Sequence, residues 1–407
     1  MRSLTDLSEN HNVIPEDLTN YKVARAGNLV INKMKAWQGS MGIAPCDGIV
    51  SPAYFVFDLR IANRAFGQRL LRSKPYVAHF AQASDGVRIG QWDLSIPGMR
   101  EIPVLLPSDN EQIAIVRFLT HASRKIDRLI RIKREMIDLL SEQKQAIIQR
   151  AVIRGLDGNV QLKPSGIPWV GDIPVHWQVR RIKYILRELD RRSKDASETL
   201  LSMRMHHGLV VFAEHFSRPP QAASLIGFKI VEPGQFVVNR MQAGNGVIYP
   251  SHLTGLVSPD YAVFEPITDV NVDYLGELFR SRIVCTKFRS ESKGLGTGTS
   301  GFLRLYNDRF GAIHIPLPPR TEQDSILDGL GKELAGIISA IDRTEREIAL
   351  LREFRARLTA DIVTGKLDVR EAAAKLPNVA TDLEVLPEVV EVDDEVVEQS
   401  VIEGSDD

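Results

Sequence analysis

Apolar residues recur at alternating steps of three and four through two long stretches of the chain. In the later stretch the series is Leu334, Ile337, Ile341, Thr344, Ile348, Leu351, Arg355, Leu358 and Ile362, seven of nine apolar. In the earlier one it is Ser123, Ile126, Ile130, Lys133, Ile137, Leu140, Lys144, Ile147 and Ala151, six of nine apolar. That spacing is the heptad rule for a narrow seam between two helices. It predicts helices over about residues 110–153 and 321–362. Forty helical residues rise roughly 60 Å, too far to be buried in one domain. The economical arrangement packs the two helices against each other as a spacer. The alternative is two amphipathic helices, each lying on its own domain.

Between these stretches the pattern shortens to β-rich runs bounded by Gly or Pro: Leu29–Asn32, Tyr54–Phe57, 235–238 and 261–264. A turn cluster over residues 164–177 (PSGIPWVGDIPVHW) marks entry into a second domain. Residues 21–57 and 228–264 align without a gap at an offset of 207, with fourteen of 37 pairs identical, including Gly27/Gly234, Asn32/Asn239 and Met34/Met241. At an offset of 211, Leu106-Pro107 matches Leu317-Pro318 and Glu111-Gln112 matches Glu322-Gln323. A period near 210 residues is far too long for a solenoid and indicates two copies of one unit. Each copy is a mixed α/β (α+β) segment followed by a long helix. The copies are unequal: 62 residues run from Gly166 through Gly227 before the second aligned block, and 20 precede the first. Nothing near the amino terminus matches GIPWVGDIPVHW. The expectation is a first domain that begins partway through its unit, short by roughly forty residues.

Length and composition set the outer bounds. With 407 residues, 43% hydrophobic and 25% charged, the chain has room for two to three domains. No run of about 18 apolar residues is present to span a membrane, and the first residues hold no apolar signal-peptide core. Cys46 and Cys285 stand alone, which excludes a disulfide scaffold and suits a reducing cytoplasm. The formal net charge of −1 is an average over unlike parts. Residues 381–407 hold eleven acids and no Lys or Arg, leaving residues 1–380 with 51 basic and 41 acidic groups, or +10. A basic body suits a polyanionic partner.

Catalytic motifs fail on inspection. Gly296–Gly301 spells GxGxxG, but a basic helical segment (280–293) precedes it and the strand-like 302–306 follows. A dinucleotide site needs the reverse order, so a flexible loop is the better reading. Flanked by Lys293 and Arg304, that loop, Thr297 included, is suited to approaching a phosphate backbone. Pro259-Asp260 with Glu265 lacks the Lys of a nuclease centre, and the first copy has Ala53 in place of Asp260, so Asp260 reads as a strand-entry turn residue. His206-His207 lacks a third metal ligand, and no methyltransferase or Walker loop occurs. What remains is binding chemistry in the paired segments 32–38 (NKMKAWQ) and 239–245 (NRMQAGN). Their Lys, Arg, Asn and Gln side chains are those that read base edges or hold phosphates. Asn32/Asn239 and Met34/Met241 recur and are expected to fix the turn. Lys33, Lys35, Trp37 and Gln38 in one copy, and Arg240, Gln242 and Asn245 in the other, are the candidates for contact with DNA. The positions that differ between copies are the candidates for discrimination.

With its two unlike α/β domains, each leading into a long helix that opens Leu-Pro…Glu-Gln (LLPSDNEQIAIVRFL, PLPPRTEQDSILDGL), the chain resembles a type I restriction-modification specificity subunit. GIPWVGDIPVHWQVRRIKYI resembles that family's domain start, and GIVSPAYFVF/GLVSPDYAVF its recurrent strand. The resemblance runs to about Lys375. It implies target-recognition domains over 1–108 and 158–319, spacer helices over 109–157 and 320–376 packed as an antiparallel coiled coil, and an acidic tail over 377–407. It further implies a cytoplasmic, non-catalytic reader of a bipartite duplex DNA site. Two methyltransferase subunits would dock on it, and translocase-nuclease subunits would join, with SAM, ATP and Mg²⁺ on those partners. The short first domain departs from the family; a late start, a fragment and a decayed gene are the readings open here. Two other function classes stay open: an enzyme with its own unrecognised nuclease site, and a coiled-coil assembly protein without DNA specificity. The tail reads as a disordered solubilising extension, or more weakly as a competitor of DNA for the basic domains.

Overall fold

The computed structural model describes residues 17–88, 91–205, 207–216, 219, 220, 222, 224–295 and 302–377. These fall into two compact units, one formed by residues up to Arg128 together with those from Leu351 onward, the other by Leu129–Leu350. Thr297, His206 and residues 381–407 lie outside the described residues.

Unit 1 runs β1 (Lys22–Ala24), β2 (Leu29–Asn32), a 3-10 turn (Lys33–Gln38), β3 (Met41–Ile43), β4 (Gly48–Val50), β5 (Tyr54–Phe57), α1 (Arg64–Leu71), α2 (Lys74–Gln82), β6 (Ser84–Arg88), β7 (Gln91–Leu94), α3 (Ile96–Arg100) and the start of the long α4 (Asp109–Arg154), whose residues from Leu129 belong to unit 2. Unit 2 opens with β8 (Leu162–Pro164), β9 (Asp172–Pro174), β10 (Gln178–Arg181), β11 (Leu186–Leu189), β12 (Leu201–Arg204), β13 (Gly208–Val211) and α5 (Phe212–His215). It then repeats the first unit's order with one added strand, β21: β14 (Lys229–Val231), β15 (Phe236–Val238), a 3-10 turn (Ala243–Asn245), β16 (Ile248–Pro250), β17 (Gly255–Val257), β18 (Ala262–Pro266), α6 (Val272–Arg280), α7 (Arg282–Glu291), β19 (Lys293–Leu295), β20 (Phe302–Arg304), α8 (Asn307–Ala312), β21 (His314–Leu317) and the start of α9 (Arg320–Val363), whose residues from Leu351 belong to unit 1, as does α10 (Arg370–Ala374).

The repeat holds down to strand register. Leu29 faces Phe57 and Phe236 faces Phe264, while Lys22 faces Val50 and Lys229 faces Val257, each shifted by 207. The sheets read β3-β2-β5 and β11-β18-β15-β16, so β11 is an addition to unit 2. The turn cluster at 164–177 is part of unit 2's core, because Ile167, Val170, Ile173 and Trp177 are buried with Phe236, Phe279 and Phe310. Unit 1 has its own core around Ile31, Phe66, Leu70 and Phe80. The segment expected as one helix over 280–293 is two elements, with Ser281 between α6 and α7 and Lys293 already in β19.

The expected long helices are present, and all eighteen heptad positions are buried or half-buried. In unit 1, Arg355 pairs with Asp127 at 2.6 Å; in unit 2, Lys133 pairs with Glu347 at 2.5 Å and Arg150 with Glu333 at 2.8 Å. Partner numbers fall on α9 as they rise on α4, so the helices run antiparallel. Two of the polar heptad positions, Lys133 and Arg355, thus make cross-helix ion pairs. Among the described residues no helix is long and apolar enough to cross a membrane.

Candidate nucleic-acid interface

The two 3-10 turns are built alike. Oδ1 of Asn32 accepts from the Met34 N–H at 3.0 Å, and Oδ1 of Asn239 accepts from the Met241 N–H at 3.1 Å. Each turn closes on a glycine in the left-handed region, Gly39 (φ 79°) and Gly246 (φ 82°), which an L side chain resists. Asn32 and Asn239 therefore serve the backbone, and the side chains between cap and glycine are the ones presented.

In unit 1 the turn packs on α2 and β7. Lys35 and Gln38 are exposed. Trp37 is half-buried, its ring 5.1 Å from Trp92 and its Nε1–H donating to the Met34 carbonyl at 3.0 Å. Lys33 lies 4.9 Å from the centre of the Phe55 ring, within cation–π range.

In unit 2 the corresponding side chains are more engaged. Arg240 donates to Glu188 at 2.8 Å and to Asn307 at 3.1 Å, and its carbonyl accepts from the Leu305 N–H at 2.9 Å. Arg240 is thereby a strut between the turn, β11 and the segment after β20. Asn245 donates to Gln242 and accepts from Arg289 at 2.9 Å. Arg289 also donates to the Gly244 carbonyl at 3.1 Å, and a side chain at 244 would crowd its Cβ. Arg289 is a surface cation that the repeat pattern did not single out, because it reaches the turn from α7, 44 residues away.

Lys293 and Arg304 face each other across the β19–β20 hairpin. Lys293 is exposed, while Arg304 lies 5.8 Å from the Tyr306 ring, and its buried Nε–H has no hydrogen-bond partner among the described residues. The bond from Leu305 to Arg240 brings this hairpin to the turn. Unit 2 thus collects Arg240, Gln242, Asn245, Arg289, Lys293 and Arg304 in one neighbourhood, while Lys33, Lys35, Trp37 and Gln38 share the turn of unit 1.

Burial shapes the charge balance beneath. Desolvation pulls the Lys229 ammonium below its ordinary range and nearby Arg240 adds to this, while Asp190 and Glu188 oppose it. Hydrogen bonding from Lys287 holds the Glu291 carboxyl below its usual value, with a further contribution from Arg309. Asp260 stands in the turn before β18. Among the described residues no group of three His, Cys, Asp or Glu side chains is placed to hold a metal ion.

Neither a protein-family model nor a curated protein sequence matches this chain. Solved structures do. The chain is similar to one described as the structural basis underlying complex assembly and conformational transition of the type I R-M system, at 15% identity over 86% of this chain and 85% of that one, with a TM-score of 0.58. Similarity is also found to the HsdS subunit from Thermoanaerobacter tengcongensis (17% identity, 87% and 84% covered, TM-score 0.41) and to the type I restriction-modification S subunit from M. genitalium (13%, 83% and 83%, 0.30). The fold of this chain, two mixed helix-and-strand units with two long helices, is that of the first of these type I R-M system structures.

Proposed function

We propose that this chain is the DNA-recognition subunit of a type I restriction-modification complex. The observation that carries the reading is the duplication: one α/β unit occurs twice in the same register. Each copy leads into one of two antiparallel helices. A reader of a bipartite site needs two similar modules that differ where they touch bases, joined by a rigid element that sets the gap. Lys35/Gln242, Trp37/Gly244 and Gln38/Asn245 are such differences. Linking two modules turns the second contact into an intramolecular one, so affinity depends on half-site spacing. Methyltransferase subunits would dock on the helices and units, and restriction-translocase subunits would join them. The chemistry of SAM, ATP and Mg²⁺ belongs to those partners, and this chain serves as a non-catalytic subunit in the cytoplasm.

The test is selection of duplexes by the purified chain, with and without methyltransferase subunits, from a library holding two random blocks at varied separation. Enrichment of two defined blocks at one separation is the expected result. A steep salt dependence without sequence preference would instead indicate a basic assembly protein. DNA methylated or cut by the chain alone with SAM or Mg²⁺ would make it an enzyme.

A further inference from the structure

Each unit carries two cations at one edge of its sheet, and among the described residues only unit 2 answers them with carboxylates. Lys22 and Lys33 are the counterparts, at the offset of 207, of Lys229 and Arg240. In unit 2, β11 adds to the outer edge of β18. That strand and the residue after it bring Glu188 to within 2.8 Å of Arg240 and Asp190 to within 3.5 Å of Lys229. In unit 1 the described sheet stops at β5, the counterpart of β18. Lys22 and Lys33 stand 5.4 and 4.9 Å from the centre of the same ring, Phe55. Among the described residues neither forms an ion pair, and the Lys22 ammonium donates to the Tyr54 carbonyl of β5 at 2.8 Å.

Among the described residues the neighbouring segment lacks a strand partner as well, its backbone held only through the Tyr76 hydroxyl, which donates to the Pro103 carbonyl at 3.1 Å and accepts from the Leu105 N–H at 3.2 Å. β21 is paired by β10, and Ile315 and Pro316 are buried. Their counterpart in unit 1, residues 103–106, has no strand partner among the described residues, and Val104, Leu105 and Leu106 are 42%, 69% and 51% exposed. Val263 and Phe264 are buried under β11, whereas Val56 and Phe57 are half-buried. An unpaired strand edge beside apolar surface is a template for another strand, and the paired lysines require that strand to be acidic.

The chain carries one segment of that description at the right remove. β10 and β11 begin 24 and 32 residues after the last residue of α4. The same counts from the end of α9 reach residues 387 and 395, a measure of reach and not of register, since the places of Glu188 and Asp190 would fall on Val397 and Gln399. Residues 387–398 read PEVVEVDDEVVE, five valines and six acids, with proline at the first position, where a strand tolerates it. The path toward them starts on unit 1, where Val369 is in the core and Arg117 donates to the Leu376 carbonyl. Residues 1–16 are poorer candidates, since at the offset of 207 they match 208–223, which supply β13 and not the edge strand. We propose that the open edge of β5 is the docking site of residues 387–398 of this same chain, their carboxylates set against Lys22 and Lys33.

Hydrogen exchange and lysine acylation on the full chain test this. Glu391→Lys with Asp393→Lys and Asp394→Lys changes no described residue. It is expected to speed amide exchange at Val56 and Asp58, the counterparts of Val263 and Glu265 whose backbone faces β11, by about tenfold or more and to raise labelling of Lys22 and Lys33. Lys22→Glu with Lys33→Glu is expected to do the same to the strand, and combining the two sets restores protection. A chain ending at residue 377 repeats the loss, and a peptide of residues 378–407 reverses it. Exchange and labelling unchanged by the acid-to-lysine set overturn the proposal. So does protection that fades on dilution, which would assign the edge to a second copy, and so does equal rescue by a scrambled acidic peptide.

Discussion

The side-chain amide of Gln323 is bonded on both sides: its Oε1 accepts from the Asn271 N–H at 2.8 Å while its Nε2 donates to the Pro318 carbonyl at 2.9 Å. Gln112 does the same in unit 1, with Asn63 at 3.0 Å and Pro107 at 3.0 Å. Both glutamines are buried, at 1% and 3% exposure. Each fastens the first turn of a long helix to the asparagine that caps α6 or α1. Gln323→Leu leaves a half-buried N–H and a buried C=O without partners, at about 1–3 kcal/mol each when fully buried. We expect a loss of about 2–5 kcal/mol in unfolding by denaturant. Gln323→Glu is expected to be destabilising too, because a carboxylate cannot donate to Pro318. Equal stability of wild type and Gln323→Leu would remove the fastening role.

The glutamines show how far the sequence could be read. Their recurrence as Glu-Gln was visible, but not their role, since the partners lie 52 and 49 residues away and leave no local period. The heptads were legible because a helix seam is a local pattern, and α4 and α9 end within a residue of the expected bounds. The strand core of the repeat was legible because the same register is specified twice. What β11 does for the sheet was not, because Glu188 and Asp190 mean nothing until Arg240 and Lys229 are beside them. For the interface, the alternation of fixed and variable positions pointed to the turn. It did not separate Arg240, held by Glu188 and Asn307, from Lys35, which is exposed.

The two cysteines are expected to differ in reactivity. Cys46 is exposed. Burial pushes the Cys285 thiol up to about 11, and its Sγ lies 3.4 Å from the Phe279 carbonyl. Only the thiolate reacts, so a maleimide at pH 7.5 should label Cys46 in the native chain and Cys285 only after unfolding. Mass spectrometry of the labelled peptides checks this. Rapid native labelling of both cysteines would contradict the packing of α7.

The cross-helix pair Lys133–Glu347 gives a pH signature. Hydrogen bonding from Lys133, then from Arg343, holds the Glu347 carboxyl below its ordinary value of 4.5. A folded value below the unfolded one adds stability that is complete above about pH 4.5 and lost as pH falls through the lowered value. Glu347→Gln should therefore lower the melting temperature at pH 7, with the gap to wild type narrowing as the pH falls below 4.5 and through the lowered value. Exchanging the charges, Lys133→Glu with Glu347→Lys, should recover most of the loss. A gap that stays constant as the pH is taken down through this range would show that the substitution acts through packing.

Lys35 and Arg240 should separate contact from support. Lys35 is exposed on the turn of unit 1, and its replacement by alanine removes a cation without disturbing the Asn32 bond that shapes the turn. If Lys35 meets a phosphate, Lys35→Ala weakens binding evenly across sequences and reduces the slope of log affinity against log salt by about 1. Arg240→Ala leaves Glu188 and Asn307 without their cation, so its first effect is on the stability of unit 2, and any loss of DNA binding should follow the loss of fold. Fluorescence anisotropy over a salt series, paired with thermal melts of the same proteins, distinguishes the two. An unchanged salt slope for Lys35→Ala would take Lys35 out of the interface. An Arg240→Ala protein that melts like wild type yet loses DNA would move Arg240 into it.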